Sequence, residues 1–473
     1  MQNERPRWIA PIACFALALL VRLFVASRVH IPGRDGATYL WMGEQVCNGH
    51  FAASFRTVFP PVYPWCIAAV LRLAPDIDPM FAGQLASGLL SALAVFPLFA
   101  IAERLFDRRA AIFACLFFAL GTWFARHPAD CMTEGPFYLW VGTAVLLLIR
   151  GGPVASTLGA SVFIALAYGT RPEGAGLALV SVPWMWLRDR QRAAWLALST
   201  AAMCLLFPIG YAVWGHGFTL TPKAAFMWPY GAGRDDGSGV LFYLEHLLRL
   251  PGHVFEAVGY IATIAAAIGI AKRGDKSLKS DASLLLLLFA LQLLVIPLAR
   301  STIRFVSGYG MLVLAFAGHG YARMLQTKPM QKRGAMALLA LLAFGPDLVR
   351  LPQHKREDKT IERDLGRYLK ERMRPGDIIV SAEHRETSGY DLPFSMCRIE
   401  WFVGMEPSPP RTLAIEELRA MAQDPRCRFG LIAHVPAGFG PDDLRGFGYE
   451  PHALPADLAE RAAARRIQVF ERR

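Results

Sequence analysis

The stretch WIAPIACFALALLVRLFVASRVHIPGRDGATY, residues 8–39, decides how the rest of the chain is read. Residues 8–27 carry one charge, Arg22. A helix of roughly 20 mostly apolar residues crosses about 30 Å of hydrocarbon, and this run is long enough. Arg5 and Arg7 precede it, as in a secretory signal. The apolar run is long for such a signal, however, and Ala26-Ser27-Arg28 is a poor cleavage site. It is read as a membrane helix. Ten further runs follow, at about 79–101, 110–124, 136–149, 153–169, 174–187, 193–214, 254–271, 282–298, 305–321 and 334–351.

Composition agrees. The 473 residues are 54% hydrophobic and 19% charged, against about 25% charged in soluble domains. That excludes a disordered chain and argues against an ordinary cytosolic enzyme. The net charge of +12 belongs wholly to residues 1–351, with 30 Lys and Arg against 18 Asp and Glu. Residues 352–473 carry 20 of each. A nucleic-acid binder clusters its basic residues on a polar domain. Here they punctuate apolar runs, and no nucleic-acid partner is expected. The eight Cys form no zinc spacing.

Lys/Arg bias orients membrane proteins. With the N-terminus in the cytoplasm, the inner connections hold 17 Lys and Arg in 44 residues and the outer ones 11 in 105. Eleven spans then put the tail outside, with the two long connections, 28–72 and 215–253. The expected fold is a polytopic all-α membrane bundle of about eleven transmembrane helices, residues 1–351. A small extracytoplasmic α/β soluble domain follows, residues 352–473. In that tail Glu362–Arg374 and Ile415–Ala422 read as helices. Ile378–Val380, Phe429–Ala433 and Ile467–Phe470 read as strands. Cys397 and Cys427 lie close enough to the oxidising side for a disulfide to be considered.

Ionisable groups in or beside spans are costly and mark function by default. Asp35 follows the first span closely, then the amphipathic Tyr39–Val46 and the rigid Phe59-Pro60-Pro61-Val62-Tyr63-Pro64-Trp65. It reads either as a turn residue before Gly36 or as a carboxylate at the bilayer surface. The tight connection at 127–136 holds His127, Asp130 and Glu134. Glu134 suits the first turn of a helix, and the group also suits a substrate or metal. Arg171 and Glu173 flank Pro172 and can simply pair. Arg300 and Arg304 stand at the start of a late span, where two cations oppose the helix dipole and an anion such as phosphate would relieve them. Arg22 either snorkels or joins that anion. Carboxylates and arginines on one face suit transfer from a phosphate-linked lipid: one takes a proton, the others hold the departing phosphate.

Asp35-Gly36-Ala37-Thr38-Tyr39 and the Pro-Pro-Val-Tyr-Pro run resemble the first outer loop of family 39-type enzymes. These belong to the GT-C membrane glycosyltransferases, with protein O-mannosyltransferases and the lipid A aminoarabinose transferase among their relatives. Thr133-Glu134-Gly135-Pro136 is similar to their second acidic turn. Thr170–Gly174 is similar to a turn of bacterial members, and Ile303-Arg304-Phe305 to the start of a late span. The resemblance covers about 1–325. It implies a polyprenyl-phosphate sugar donor, a lipid, glycan or protein acceptor, and a multi-pass protein of the cell membrane, the bacterial inner membrane. Asp35 becomes the general base and Glu134 the second catalytic candidate. Arg304, Arg300, Arg171 and Arg22 become donor phosphate ligands. Tyr39, Tyr63, His127, Asp130 and Glu173 become substrate contacts. Phe59 stands where bacterial members often have His, and Gly36 where many have a second acid. A divalent metal is compatible with the sequence but not required by it. Two other classes remain open: a lipid-linked oligosaccharide ligase or polymerase, and a transporter or flippase without chemistry.

Overall fold

The structure is a computed structural model that describes residues 8–152, 154–215, 217–223, 238–299, 302–327, 333–353, 357–383, 396–407, 415–433 and 440–472. They divide into two compact units. One joins Met1–Arg28 with Met42–Gln353, the other Val29–Trp41 with His354–Arg473.

The first unit is helical. Its helices are α1 (Ile9–Ala26), the C-terminal part of α2 (Arg34–Cys47), α3 (Val62–Leu73), α4 (Pro79–Leu93), α5 (Val95–Leu105), α6 (Arg108–Leu120), α7 (Thr122–Ala129), α8 (Glu134–Arg150) and α9 (Val154–Tyr168). They continue with α10 (Ala175–Trp186), α11 (Arg190–Cys204), α12 (Leu206–Trp214), α13 (Gly239–Val258), α14 (Tyr260–Ala271), α15 (Asp281–Ala299), α16 (Ile303–Leu325) and α17 (Arg333–Arg350). Each of the eleven apolar runs falls on helix. Asp78, Asp107 and Asp189 cap α4, α6 and α11 by accepting a backbone N–H at 3.0, 2.8 and 3.0 Å, the usual device for the open donors of a helix start.

The eleven runs are not all single straight helices. Among the described residues four helical stretches are long and apolar enough to cross a membrane, or six if two sharply bent pairs each count as one. The bends are the reason. The 110–124 run breaks at Gly121 into α6 and α7, 48° apart. The 254–271 run is not one helix: α13 and α14 meet at 103° around Gly259, whose φ of +95° suits glycine and few other residues. The long connections are also partly helical, with α3 inside 28–72 and most of α13 inside 215–253.

α16 is the axis of this unit, buried at every position from Val306 to Ala322. Small residues let its neighbours touch its backbone. A Cβ at Gly320 would lie 1.8 Å from the Ala265 carbonyl of α14, and one at Gly318 2.1 Å from the Ala110 carbonyl of α6. Close approach through small residues is how helices associate without a hydrophobic drive between them. Away from this core, Leu20, Leu198, Leu206, Val213 and Leu341 are exposed, an apolar surface of the kind lipid covers favourably.

The second unit holds α18 (Thr360–Lys370), β1 (Ile378–Glu383), α19 (Met396–Val403), α20 (Ile415–Gln423), β2 (Cys427–Ala433), α21 (Pro441–Gly446), β3 (Tyr449–Pro451), α22 (Ala456–Ala464) and β4 (Ile467–Arg472). The sheet order is β1-β2-β4-β3, with β1 and β2 parallel and the other pairs antiparallel. Period-2 alternation sends Ile379, Leu431 and Val469 to a core with α18, α19 and α22. Val380, Ile432 and Phe470 go to a second core with α20 and α21. Buried Glu362 and Arg398 pair at 2.8 Å between α18 and α19. Cys427 is a free buried thiol, and the side chain of Cys397 lies outside the described residues.

Candidate active site

The polar cluster of the first unit is built from three helix starts and one turn. α8 opens on Glu134, whose side chain is fully buried. α16 opens after Thr302, whose Oγ1 accepts from the Phe305 N–H at 3.5 Å, and presents Arg304 in its first turn. The 3₁₀ turn Pro172–Gly174 follows Arg171 and carries Glu173.

Glu134 Oε1 accepts from Arg171 Nη1 at 2.5 Å and from Arg304 Nε. Arg171 also donates to Glu173 Oε1 at 3.0 Å and to Thr133 Oγ1 at 3.4 Å. Its guanidinium lies over the rings of Phe137 and Phe305, 5.6 and 5.4 Å from their centroids. Arg171 is thus buried, doubly ion-paired and ringed. Arg304 keeps 21% of its side chain exposed, against 5% for Arg171. Glu134 Oε2 is buried and has no hydrogen-bond partner among the described residues. A buried carboxylate oxygen of this kind is costly unless a donor meets it.

A second set of contacts fixes these helix starts. Tyr138, one turn beyond Glu134, donates to Ser307 Oγ at 2.9 Å, and Ser307 donates to the Arg304 carbonyl at 2.8 Å. His127 on α7 is buried, with Nδ1 3.5 Å from Ser307 Oγ. Tyr309 donates to the Glu173 carbonyl at 2.8 Å. Burial lifts the Glu173 carboxyl, but the charge and hydrogen bond of Arg171, helped by Lys223, hold it below the usual carboxylate range. Lys223 sits over the Phe59 ring, 4.6 Å from its centroid.

Glu134, Arg171, Glu173, Arg304 and His127 therefore come together. Asp130 is buried at the end of α7, three residues beyond His127. Tyr63 is buried and its hydroxyl donates to the Gly83 carbonyl at 2.9 Å, a tie between α3 and α4. Asp35 lies in the first turn of α2 and Tyr39 is buried one turn on; both belong to the second unit. Arg300 lies outside the described residues.

Arg22, an anion ligand or a snorkelling charge by sequence, has protein partners. It is buried, donates to Ser91 Oγ at 2.8 Å, and donates to the carbonyls of Ala18, Phe118 and Ala119 at 3.0, 3.3 and 3.5 Å. The last two are carbonyls left open where α6 breaks. Thr133 belongs to the acidic-turn motif of the sequence, whereas Tyr138, Ser307 and Lys223 stand in none of its motifs. Helical spacing held a signal for two of them: Tyr138 is four residues after Glu134 and Ser307 three after Arg304, on the same faces.

Among the described residues no group of three or more His, Cys, Asp or Glu is placed to hold a metal.

A family model described as dolichyl-phosphate-mannose-protein mannosyltransferase matches residues 59–214. No curated protein matches the chain in sequence. Among solved structures, ArnT from Cupriavidus metallidurans bound to undecaprenyl phosphate superposes with a TM-score of 0.65 at 12% identity, covering 97% of each chain. The Archaeoglobus fulgidus oligosaccharyltransferase in complex with zinc and sulfate superposes at 0.59 and 12% identity, over 88% of this chain and 67% of its own. The same archaeal enzyme, AglB, in complex with an inhibitory peptide and a dolichol-phosphate gives 0.52 at 13% identity, over 85% and 61%. The chain thus has the fold of these structures, a helical bundle with a small C-terminal sheet unit, and its residues 59–214 match the mannosyltransferase family model.

Proposed function

We propose that the protein moves a sugar from a polyprenyl-phosphate donor to an acceptor at the outer face of the cell membrane. Asp35 is the base and Arg304 the phosphate cation. The observation that carries this reading is the arrangement around Glu134, a buried carboxylate that holds two arginines, one of which, Arg304, keeps 21% of its side chain exposed. Glu134 Oε1 already serves two guanidinium groups, so Glu134 positions Arg304 rather than removing a proton. Its second oxygen is left for a hydroxyl of the sugar or acceptor.

In the step itself Asp35 takes the proton of the acceptor hydroxyl as that oxygen bonds the anomeric carbon. The bond from that carbon to the donor phosphate oxygen breaks, and the lipid phosphate leaves with an added negative charge. Arg304 favours the charge-developed state more than the ground state, which is what accelerates a reaction. The bilayer topology follows the Lys/Arg bias: N-terminus cytoplasmic, residues 352–473 outside, in a bacterial inner membrane. The ArnT structure of matching length is bound to undecaprenyl phosphate, in keeping with a polyprenyl-phosphate donor. The larger oligosaccharyltransferase favours oligosaccharide transfer, the second reading.

The test is donor binding and single turnover in proteoliposomes with a synthetic polyprenyl-phosphate sugar. Asp35→Asn is expected to bind donor and lose roughly 10²–10⁴-fold in rate, the usual worth of a positioned base. Arg304→Ala is expected to lose donor binding, with Arg304→Lys recovering part, because Lys keeps charge but not the planar fork. Wild-type binding and turnover by Arg304→Ala would place the phosphate elsewhere.

A further inference from the structure

Most of α13 lies within the long connection 215–253, and it is a 20-residue helix with three distinct faces. His246, Leu250 and Ala257 are buried on the bundle, where Leu250, Ala257, Leu247 and Val254 pack with Ile296, Ile303, Phe305 and Val306. Glu245, Arg249 and Glu256 share a second, charged face, with Glu245 and Arg249 paired at 2.5 Å. Val240, Leu241, Leu244 and Leu248 form the third face, an exposed apolar stripe, with Leu248 82% and Val240 71% exposed. Two adjacent exposed faces, one apolar and one charged, are what a helix lying at a membrane surface carries.

The orientation of α13 argues the same. α14 packs along buried α16 through Gly320 and Ala265, so it runs with the bundle. α13 turns away from it by 103° at Gly259, which lays α13 nearly across the direction of the spans. The dimensions close. α14 has 12 residues, about 18 Å of helix at 1.5 Å per residue, some 12 Å short of a ~30 Å hydrocarbon core. Lys272 and Arg273 follow α14 and can snorkel at that end. An interfacial helix sinks about 5–10 Å into the headgroup–acyl boundary, which supplies the rest.

We infer that α13 is a monotopic anchor. Its Val240–Leu241–Leu244–Leu248 stripe is immersed in the acyl boundary of one leaflet and its Glu245–Arg249 face lies among the headgroups. The occupant of the stripe is bilayer lipid, not a protein partner. By the Lys/Arg bias the leaflet is the outer one. Because the inner face of α13 packs on Ile303, Phe305 and Val306, the anchor fixes the depth of the α16 start, and so of Arg304, at headgroup level.

The test needs no activity and is independent of the glycosyl-transfer reading. The photo-crosslinking residue p-benzoylphenylalanine is placed singly at 241, 244 and 248, and in separate variants at 245 and 249, all exposed positions. The full-length protein is reconstituted in phosphatidylethanolamine–phosphatidylglycerol vesicles, irradiated and analysed by mass spectrometry. Lipid adducts are expected at least about tenfold more often at 241, 244 and 248 than at 245 and 249. Equal yields on both faces, or crosslinks to protein in place of lipid at 244 and 248, overturn the assignment. A membrane-partitioning diazirine on the unsubstituted chain gives the same answer without a variant. It should label Val240, Leu244 and Leu248 and spare Glu245 and Arg249, and the reverse pattern refutes the anchor.

Discussion

Glu134→Gln is the substitution whose cost follows most directly from the geometry. Glu134 is fully buried and its Oε1 serves Arg171 and Arg304. Each such pair attracts by about 4 kcal/mol at 4 Å and an effective dielectric near 20. The cost of keeping all three groups from water cancels much of that. Removing one partner of a buried pair nevertheless costs about 3–5 kcal/mol, because the other charge stays behind uncompensated. Arg171, only 5% exposed, is the charge left behind, with Glu173 as its remaining partner. Glutamine keeps the shape and one acceptor, so about 3 kcal/mol is expected, roughly a 6–12 °C fall in melting temperature at 2–4 °C per kcal/mol. Arg304 is 21% exposed and water can partly replace it, so Arg304→Gln should cost less than about 2 kcal/mol. Thermal unfolding in one detergent, followed by tryptophan fluorescence, measures both. In the double variant the added cost of Glu134→Gln should shrink by about 0.5–3 kcal/mol, the coupling of contacting charges. A Glu134→Gln melting point within 2 °C of wild type, by the ~2–4 °C per kcal/mol scale, would refute the claim that this carboxylate holds the cluster together. So would strict additivity with Arg304→Gln.

Arg22→Met should lower the melting temperature without changing donor affinity, since the side chain meets Ser91 and the open carbonyls at the α6 break; loss of donor affinity with unchanged stability would return Arg22 to the phosphate. In the second unit burial lifts the Asp364 carboxyl, but hydrogen bonds and charge from Arg363 and Arg461 outweigh it and hold it below its ordinary range. A depressed folded pKa gives stability that is complete above the unfolded value of about 3.9 and is lost as pH falls through the folded one. Asp364→Asn should therefore flatten the acid limb of the unfolding curve of that unit, modestly because the arginines are partly exposed, and an unchanged limb would show that the pair contributes nothing.

Much of the bundle was legible because hydrocarbon enforces a simple rule on sequence: every spanning segment satisfies its own backbone and shows lipid an apolar exterior. The eleven runs needed only that rule. α13 escaped it because its Leu and Val positions are interrupted by Glu245, Arg249 and Pro251, and an interfacial helix is never apolar all round. In the sheet unit β1, β2 and β4 were visible as runs of branched and aromatic residues. β3 is three residues long and held by pairing to β4, which local sequence does not record. At the site, the order of motifs suggested that Glu134, Arg171 and Arg304 belong together, but their separations of 37 and 170 residues give no local trace of a contact. Arg22 shows the converse. One arginine in an apolar run reads as a ligand or a snorkelling charge, and its real partners, Ser91 and the carbonyls of 118 and 119, appear only when the helices are assembled.

The glycines of α16 have a consequence for how such a protein can move. Where a Cβ would sit 2.1 Å or less from a neighbouring carbonyl, two backbones already touch, and neither can slide past the other without first separating. Arg304 rides on the end of that immobilised rod, so any rearrangement in a working cycle belongs to the segments that join the rods. An evolving member of this fold is then free to rewrite its connections for a new sugar or acceptor while positions such as Gly318 and Gly320 stay closed to any side chain larger than a hydrogen atom.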